Sequence, residues 1–267
     1  MRKLVQIMSE DSGQNRKYIM PNLLNSLFLL EELSKSKDGF TIQEMVRKTG
    51  IPKSTIFRIC YTLQSSSYLS KNEETSKFFL SRKILSLGLS SLGEESIIEK
   101  SLFHMRELRD KVRETVLLGV LLDNSIALLD QVIGNHPFTF YIRPGKNFVM
   151  HASAPGKAVL AFLSPEEQEK ILGNIELIRF NERTLTDRDS LMHDLQKVVE
   201  LGYSIDRGEE LDGVHCIGAP ILDGNGSPVA VVWTTGPSGR LKESDFESVG
   251  ASVLLCARRI TKSLGYK

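Results

Sequence analysis

The segment from Thr41 to Ser81 constrains the fold more than any other part of the sequence. A short helical pattern, TIQEMVRKTG, ends at Gly50, a residue typical of helix C-termini. Pro52 then opens a second helical pattern, GIPKSTIFRICYTL, where the missing N–H of proline costs nothing. Two short strand patterns follow about a polar turn, in YLSKNEETSKFFLS.

Another helical pattern, NLLNSLFLLEELSKSKDGF, precedes this segment and places Leu23, Leu27, Leu30 and Leu33 on one apolar stripe. The order helix, helix, turn, helix, hairpin is that of a winged helix-turn-helix. We therefore divide the chain into a flexible arm (1–20), a winged helix-turn-helix domain (21–82), linker helices (83–113) and a C-terminal domain (114–267).

The third helix of this motif has an apolar and a polar side. Ile56, Ile59 and Leu63 are predicted to face the core. A recognition helix presents its N-terminal residues to base edges in the major groove. We therefore predict a DNA-binding set with base contacts from Ser54, Thr55 and Arg58, with Thr62 on the same side, and phosphate contacts from Lys53, Lys71 and Lys77. A solvated helix in a bundle that binds no DNA is the structural alternative.

The charge distribution favours the same end of the chain. Residues 1–85 carry 14 Lys and Arg against 8 Asp and Glu, whereas the remainder carries 20 against 25. A basic front and an acidic back indicate that the front alone meets a polyanion.

The segment 83–113 is predicted to be helical, with one apolar face formed by Ile98, Leu102, Met105, Leu108 and Val112. Leu87, Leu89 and Leu92 add apolar surface just before it. This surface either forms a dimer contact or packs in the core.

Beyond Thr115 the pattern predicts an α+β domain with an antiparallel sheet and helices on its faces. The predicted strands include TVLLGVLLD, SIALLDQVI, FTFYIRPG and FVMHAS, and the predicted helices are GKAVLAFLSPEEQEKIL, DRDSLMHDLQKVVELG and a C-terminal amphipathic helix. HCIGAPILDGNGSPVAVVWTTGP reads as a hairpin about Asp-Gly-Asn-Gly.

Several classes of protein are disfavoured by composition. No window approaches the ~18 consecutive apolar residues of a membrane span, and no signal peptide is indicated, so we expect a cytoplasmic protein. The three cysteines are far apart and odd in number, which argues against a disulfide framework. No zinc-ligand spacing occurs, and we expect no metal and no cofactor.

With the winged helix in front and the motifs MHASAPGKAVLA and GVHCIGAPILDGNGSPVAVVWTTGP behind, the chain resembles the isocitrate-lyase-regulator (IclR) family of transcription factors. The resemblance runs from about Pro21 to Leu264. It implies a GAF-like effector-binding domain, homodimers or homotetramers, binding to palindromic double-stranded DNA, and control by a small organic acid or sugar acid.

The resemblance also implies an effector pocket, whose matching positions here are Ala154, Pro155, Gly156, Asp206, Cys216, Trp233 and Thr235. Pro155 lacks a backbone donor that the family uses, and Trp233 replaces a small hydroxyl residue. Both departures favour a larger acid or a sugar acid over a small keto acid. A vestigial pocket, with the domain acting only in oligomerisation, stays open.

We predict a transcriptional regulator of a catabolic operon, favour repression over activation, and expect no enzyme activity. The enzyme alternative is a GAF-type thiol enzyme or redox sensor in which Cys216 is the nucleophile and Asp206 and His151 orient it. No partner stands at a fixed spacing from that cysteine, so this alternative has little support.

Overall fold

A computed structural model describes residues 18–90, 97–143 and 146–266. Most of the predicted arm, residues 1–17, and the apolar position Leu92 lie outside the described residues. The chain divides into two compact units between Glu94 and Glu95. Each unit is described by itself.

The first unit is a three-helix bundle followed by a hairpin and a further helix. Its elements are α1 (Pro21–Ser34), α2 (Ile42–Thr49), α3 (Lys53–Ser65), β1 (Leu69–Asn72), β2 (Lys77–Leu80) and α4 (Arg82–Ser90). The strands are antiparallel, with Leu69 opposite Leu80. Leu29, Met45 and Ile56 are fully buried in its core. The predicted winged helix-turn-helix is thus confirmed.

Local chemistry sets the boundaries of α2 and α3. The Thr41 hydroxyl accepts from the Glu44 backbone N–H and the Glu44 carboxylate accepts from the Thr41 N–H, which forms a capping box at the start of α2. Gly50 ends α2 in the left-handed conformation, with φ of 72°. Pro52 is the N-cap of α3, which begins at Lys53.

The predicted stripe of α1 is partly wrong. Leu23 and Leu27 are each more than half exposed, whereas Leu29 and Leu33 are buried. The face of α1 that packs on the bundle therefore includes Leu29, which the predicted stripe left out. Both choices contain apolar residues at helical spacing, and only the packing of α2 and α3 selects between them.

The second unit contains a six-stranded sheet with helices on both faces. Its elements are α5 (Ile97–Val112), β3 (Thr115–Leu122), β4 (Ser125–Val132), β5 (Asn147–Val149), α6 (Ala154–Leu160), α7 (Pro165–Asn174), α8 (Arg188–Leu201), β6 (Ser204–Asp206), β7 (Val214–Leu222), β8 (Pro228–Pro237), a 3-10 turn (Glu243–Asp245) and α9 (Phe246–Ser263). The strand order is β5-β4-β3-β8-β7-β6, and every neighbouring pair is antiparallel.

Two apolar layers hold the helices to the sheet. One layer joins the sheet to α5 and α9 through residues such as Met105, Val232 and Ile260. The other joins the opposite face to α6, α7 and α8 through residues such as Leu160 and Trp233. The predicted α+β class with an antiparallel sheet is confirmed.

Two sequence predictions for this unit are wrong, and one strand was not predicted. Residues 138–143 of the predicted strand FTFYIRPG are irregular; there the side chain of Gln131 bonds both the N–H and the carbonyl of Ile142. The predicted helix GKAVLAFLSPEEQEKIL is two helices, since Ser164 caps α7 and Pro165 begins it. The short strand β6 was not predicted.

Candidate nucleic-acid interface and effector site

The recognition helix α3 separates a buried side from an exposed side. Ile56, Ile59 and Cys60 are buried and anchor it to the bundle. The side chains predicted to meet DNA point away from that core: Lys53, Ser54, Arg58 and Thr62 are exposed, and Thr55 is half-buried. The Thr62 hydroxyl donates to the Arg58 carbonyl at 2.9 Å, so its oxygen remains available as an acceptor.

Two exposed aromatic residues on α3 were missed by the sequence analysis. The Phe57 side chain is 57% exposed and that of Tyr61 is 66% exposed. Both lie outside the buried side of the helix that Ile56 and Ile59 form, on the flank that lines a groove with α2 and the hairpin. The signal was present in the sequence, because helical spacing from the core positions projects residues 57 and 61 outward.

The two lysines predicted on the hairpin lie near its turn. Lys71 on β1 is half-buried and its ammonium group pairs with the exposed Glu73 carboxylate at 2.7 Å. Lys77 on β2 is half-buried and stands opposite Asn72. A surface ion pair such as Lys71–Glu73 is worth ~0–1 kcal/mol, so a phosphate can replace the carboxylate at little cost.

In the second unit, the predicted effector residues Asp206, Cys216 and Thr235 form one row across three strands. Asp206 is the register partner of Cys216, and Cys216 is the partner of Thr235. Thr115 on β3 continues the row as the partner of Thr235. The Cys216 thiol donates to the Thr235 hydroxyl at 3.2 Å. We call these four residues the polar row.

The first turn of α6 packs beside the polar row. Gly218, two residues beyond Cys216 on the same strand, lies so near Ala154 that a Cβ would stand 3.2 Å from the Ala154 carbonyl carbon. The Ser204 hydroxyl donates to the Ala154 carbonyl at 2.6 Å. The predicted loop and the predicted strand residues are therefore brought together.

The start of α6 offers fewer donors than the resemblance implied. Pro155 has no N–H, and the N–H of Gly156 bonds the Ser153 hydroxyl at 3.1 Å. Of the three predicted loop residues, only Ala154 retains an N–H for a ligand. Gly156 also has a packing role, since a Cβ there would lie 2.3 Å from the Val149 carbonyl oxygen.

Trp233 is 1% exposed and belongs to the apolar layer beneath α6. Its ring meets that of Phe148 edge to face, with 5.2 Å between the ring centroids. It pairs with Leu117 and Gly218, one row away from the polar row. The indole therefore closes the apolar side of the row.

A buried ion cluster, which the sequence analysis missed, holds the loop after β6. Lys157 is 0% exposed, and its ammonium group contacts the carboxylates of Glu209 at 2.7 Å and Asp194 at 2.9 Å. Burial alone would lower the pKa of Lys157, but the charges of Glu209 and Asp194 outweigh it and raise that pKa. Positions 157, 194 and 209 are far apart in sequence, so no spacing could have revealed the cluster.

Burial controls the protonation of the polar row. Asp206 is 4% exposed, and burial raises the pKa of its carboxyl to about 7, even though the Glu209 N–H donates to it at 2.7 Å. Burial, followed by the charge of Asp206, raises the pKa of the Cys216 thiol well above its usual value. The protonated thiol is the opposite of what a nucleophilic cysteine requires.

The histidines near these residues have structural partners. His151 Nε2 lies 3.0 Å from the Ile178 carbonyl oxygen, and its ring stacks on Phe180. His215 bonds the Leu241 carbonyl at 2.8 Å on the α9 side of the sheet, away from Cys216. Within residues 18–90, 97–143 and 146–266, no group of three or more His, Cys, Asp and Glu side chains could hold a metal ion.

Family models match both units. The model described as the IclR helix-turn-helix domain matches residues 23–73, and the model described as the bacterial transcriptional regulator IclR C-terminal matches residues 89–262. The second match alone spans more than half of the chain.

The chain belongs to the IclR family.

This IclR-family regulator is 29% identical to the HTH-type transcriptional regulator KdgR of Escherichia coli over 92% of this chain and 93% of that protein. It is 30% identical to the HTH-type transcriptional repressor AllR of Escherichia coli over 92% of this chain and 90% of that protein. The relatives that it matches in sequence are thus transcriptional regulators.

Solved structures agree on the fold. A transcriptional regulator from Rhodococcus sp. RHA1 superposes with a TM-score of 0.76 at 26% identity, covering 92% of this chain and 99% of that one. An IclR homologue from Microbacterium hydrocarbonoxydans, solved with 4-hydroxybenzoate, superposes with a TM-score of 0.76 at 23% identity. The match covers 90% of this chain and 99% of that one. The chain is a DNA-binding transcriptional regulator with a C-terminal effector domain.

In the part of the chain that the structure describes, no helix has the length and apolar character to cross a membrane.

Proposed function

We propose that this protein represses a catabolic operon from the cytoplasm, and that it binds a palindromic operator as a homodimer or homotetramer through α3. The observation that carries this proposal is the exposed polar side of α3, with Arg58 at its centre. Among the described residues, Arg58 has no ion-pair partner, so its guanidinium is free to bond a guanine. Ser54 and Thr55 complete the base-edge set, and Lys53, Lys71 and Lys77 contact phosphates.

The polar row is the proposed effector site. Asp206 and Thr235 supply carboxyl and hydroxyl oxygens, and no cation belongs to the row. The Thr115 hydroxyl is already bonded, since it donates to the Phe140 carbonyl and accepts from the Gly134 N–H. Such a set suits the hydroxyl groups of a ligand better than its carboxylate. The carboxylate of the ligand would accept a hydrogen bond from the Ala154 N–H at the start of α6. A hydroxy acid or sugar acid is therefore favoured over a small keto acid.

The rival proposal is that the effector site is vestigial and the second unit serves only in oligomerisation. It draws support from the buried indole of Trp233 and from the small number of free donors at Pro155 and Gly156. Neither observation removes the polar row itself, which an oligomerisation domain would not need.

A thermal-shift panel distinguishes the two proposals. The full-length protein is heated with aliphatic keto acids, sugar acids and aromatic acids, because a ligand at 100 times its Kd adds ~2.7 kcal/mol of stability. We expect a sugar acid or hydroxy acid to shift the wild type and the Arg58→Ala variant equally. The shift should be lost in Thr235→Val, and Trp233→Ser should change the class of acid that binds. No shift with any acid in the wild type would favour a vestigial site.

A further inference from the structure

Phe57 and Tyr61 form an exposed aromatic ridge along α3. They are one helical turn apart, so their side chains are neighbours on the surface. Aromatic side chains of this size bury ~150–250 Å² when they find a partner. The core of the first unit is complete without them, because Ile56, Ile59 and Cys60 supply the contacts of α3. The ridge is therefore free for an external partner.

A groove of about 570 Å³ runs beside this ridge. The ridge and Gln64, one turn further along α3, line it on the helix side, and Lys71 and Ser76 line it on the hairpin side. Thr41 and Gln43, at the start of α2, also line it. Ile42 and Phe78 add apolar surface on α2 and β2, so the lining combines the aromatic ridge and these apolar side chains with the polar groups of Gln64, Lys71 and Ser76.

The proposed placement of α3 in the major groove determines what this groove meets. One strand of the duplex passes between a recognition helix and the hairpin that follows it. The polar groups of Lys71 and Ser76 suit the phosphates of that strand, whereas both donors of Thr41 are held by the Glu44 carboxylate. The aromatic ridge suits the one apolar group that a base presents in the major groove, the C5-methyl group of thymine.

We propose that Phe57 and Tyr61 read thymine methyl groups on the DNA strand that occupies the groove between α3 and the hairpin. The inference rests on the proposed function, in that α3 must enter the major groove with Arg58 at the bases. It makes the protein selective for A·T pairs beside the base that Arg58 contacts, and it names two specificity residues that the polar pattern of α3 does not contain.

The test replaces single thymines by deoxyuracil. A duplex is selected from a random pool with the full-length protein, and each thymine of the selected site is then replaced in turn. The replacement keeps base pairing and removes only the methyl group. Because burial of one such carbon is worth about 0.8 kcal/mol, we expect a loss of about fourfold in affinity at one or two positions next to the Arg58-dependent base.

Variants of the protein complete the test. In Phe57→Ala or Tyr61→Ala the same deoxyuracil replacement should no longer change affinity, whereas Phe57→Leu should keep most of the effect. Phe103→Ala, which removes an exposed phenylalanine of the second unit, is the matched control and should behave as wild type. Since Phe57 and Tyr61 are exposed, their variants should have the same melting temperature as the wild type.

Two results would overturn the inference while leaving the proposed function intact. In the first, a site is selected and depends on Arg58, but no deoxyuracil position changes affinity by more than twofold. In the second, Phe57→Ala changes the sedimentation of the DNA-free protein, which would make the ridge a contact between copies of this chain. If no duplex is enriched, or Arg58→Ala binds like wild type, the proposed function of α3 fails first.

Discussion

On α3 the side chains proposed to bind DNA are exposed, apart from the half-buried Thr55. The side chains proposed to meet the effector are buried or half-buried, and Cys216 and Thr235 are bonded to each other. Arg58 and Phe57 can change without disturbing the bundle. Asp206 and its neighbours are linked through Glu209 to Lys157. Substitutions of the exposed side chains of α3 should therefore alter DNA affinity alone, and substitutions around the polar row should alter stability as well.

The largest expected effect is that of Lys157→Met. It leaves Glu209 and Asp194 without the cation that neutralises them in the interior. We expect the free energy of unfolding to fall by ~3–5 kcal/mol. Urea unfolding followed by the fluorescence of Trp233, the single tryptophan of the chain, measures it. Lys197→Met, an exposed position on α8, is the control. A loss below ~1 kcal/mol for Lys157→Met would show that the cluster is not a structural link.

Asp206→Asn should stabilise the protein at alkaline pH. The pKa of Asp206 in the folded protein is raised to about 7, so the folded state holds its proton more tightly than the unfolded state does. The stability that this group contributes is therefore highest at low pH and falls as the pH rises from about 4 to about 7. The amide does not titrate, so the variant should exceed the wild type by ~2–4 kcal/mol at pH 8.

Urea unfolding of both proteins at pH 5 and pH 8 tests this prediction. The advantage of Asp206→Asn should shrink at pH 5, where the folded wild type retains its proton. An equal difference at the two pH values would mean that the Asp206 carboxyl does not titrate in this range.

Arg58→Ala should weaken binding to the selected duplex by ~1–3 kcal/mol and relax the preference at one base pair. Its free energy of unfolding should stay within ~0.5 kcal/mol of the wild type, because the position is exposed. Fluorescence anisotropy against single-base variants of the site measures the loss of affinity and the change in base preference. A uniform loss on all duplexes would identify Arg58 as a phosphate contact.

The smallest expected effect is that of Lys71→Ala. A phosphate contact carries no sequence information, so all duplexes should lose affinity equally, by less than ~1 kcal/mol. The slope of log affinity against log salt should fall by ~1. Lys242→Ala, at an exposed position of the second unit, should leave the slope unchanged. A loss confined to one sequence would instead place Lys71 at a base.

The sequence predicted well those elements that have apolar residues at helical spacing or a strong turn signal. The helical spacing of Ile56 and Ile59 and the Asp-Gly-Asn-Gly turn of the β7–β8 hairpin are local signals, and the structure reproduces both. The resemblance brought Asp206, Cys216 and Thr235 to attention, and the strand register places them in one row.

The features that the sequence did not predict depend on distant partners. Residues 138–143 alternate like a strand, but side chains such as Gln131 and Thr115 bond their backbone instead. The burial of Lys157 depends on Asp194 and Glu209, which no local pattern connects to it. Phe57 and Tyr61 stand outside the polar pattern that identifies a recognition helix, and their exposure depends on how α3 packs in the bundle.

The most direct test of the account measures the affinity of the full-length protein for its selected duplex with and without the acid that shifts its melting temperature. Coupling between two sites typically changes affinity by ~5–150-fold. We predict a loss of DNA affinity of at least fivefold on addition of the acid, and no such loss in Thr235→Val, which should still bind the duplex. Equal affinity with and without a bound acid would contradict the account, because the second unit would then not control α3.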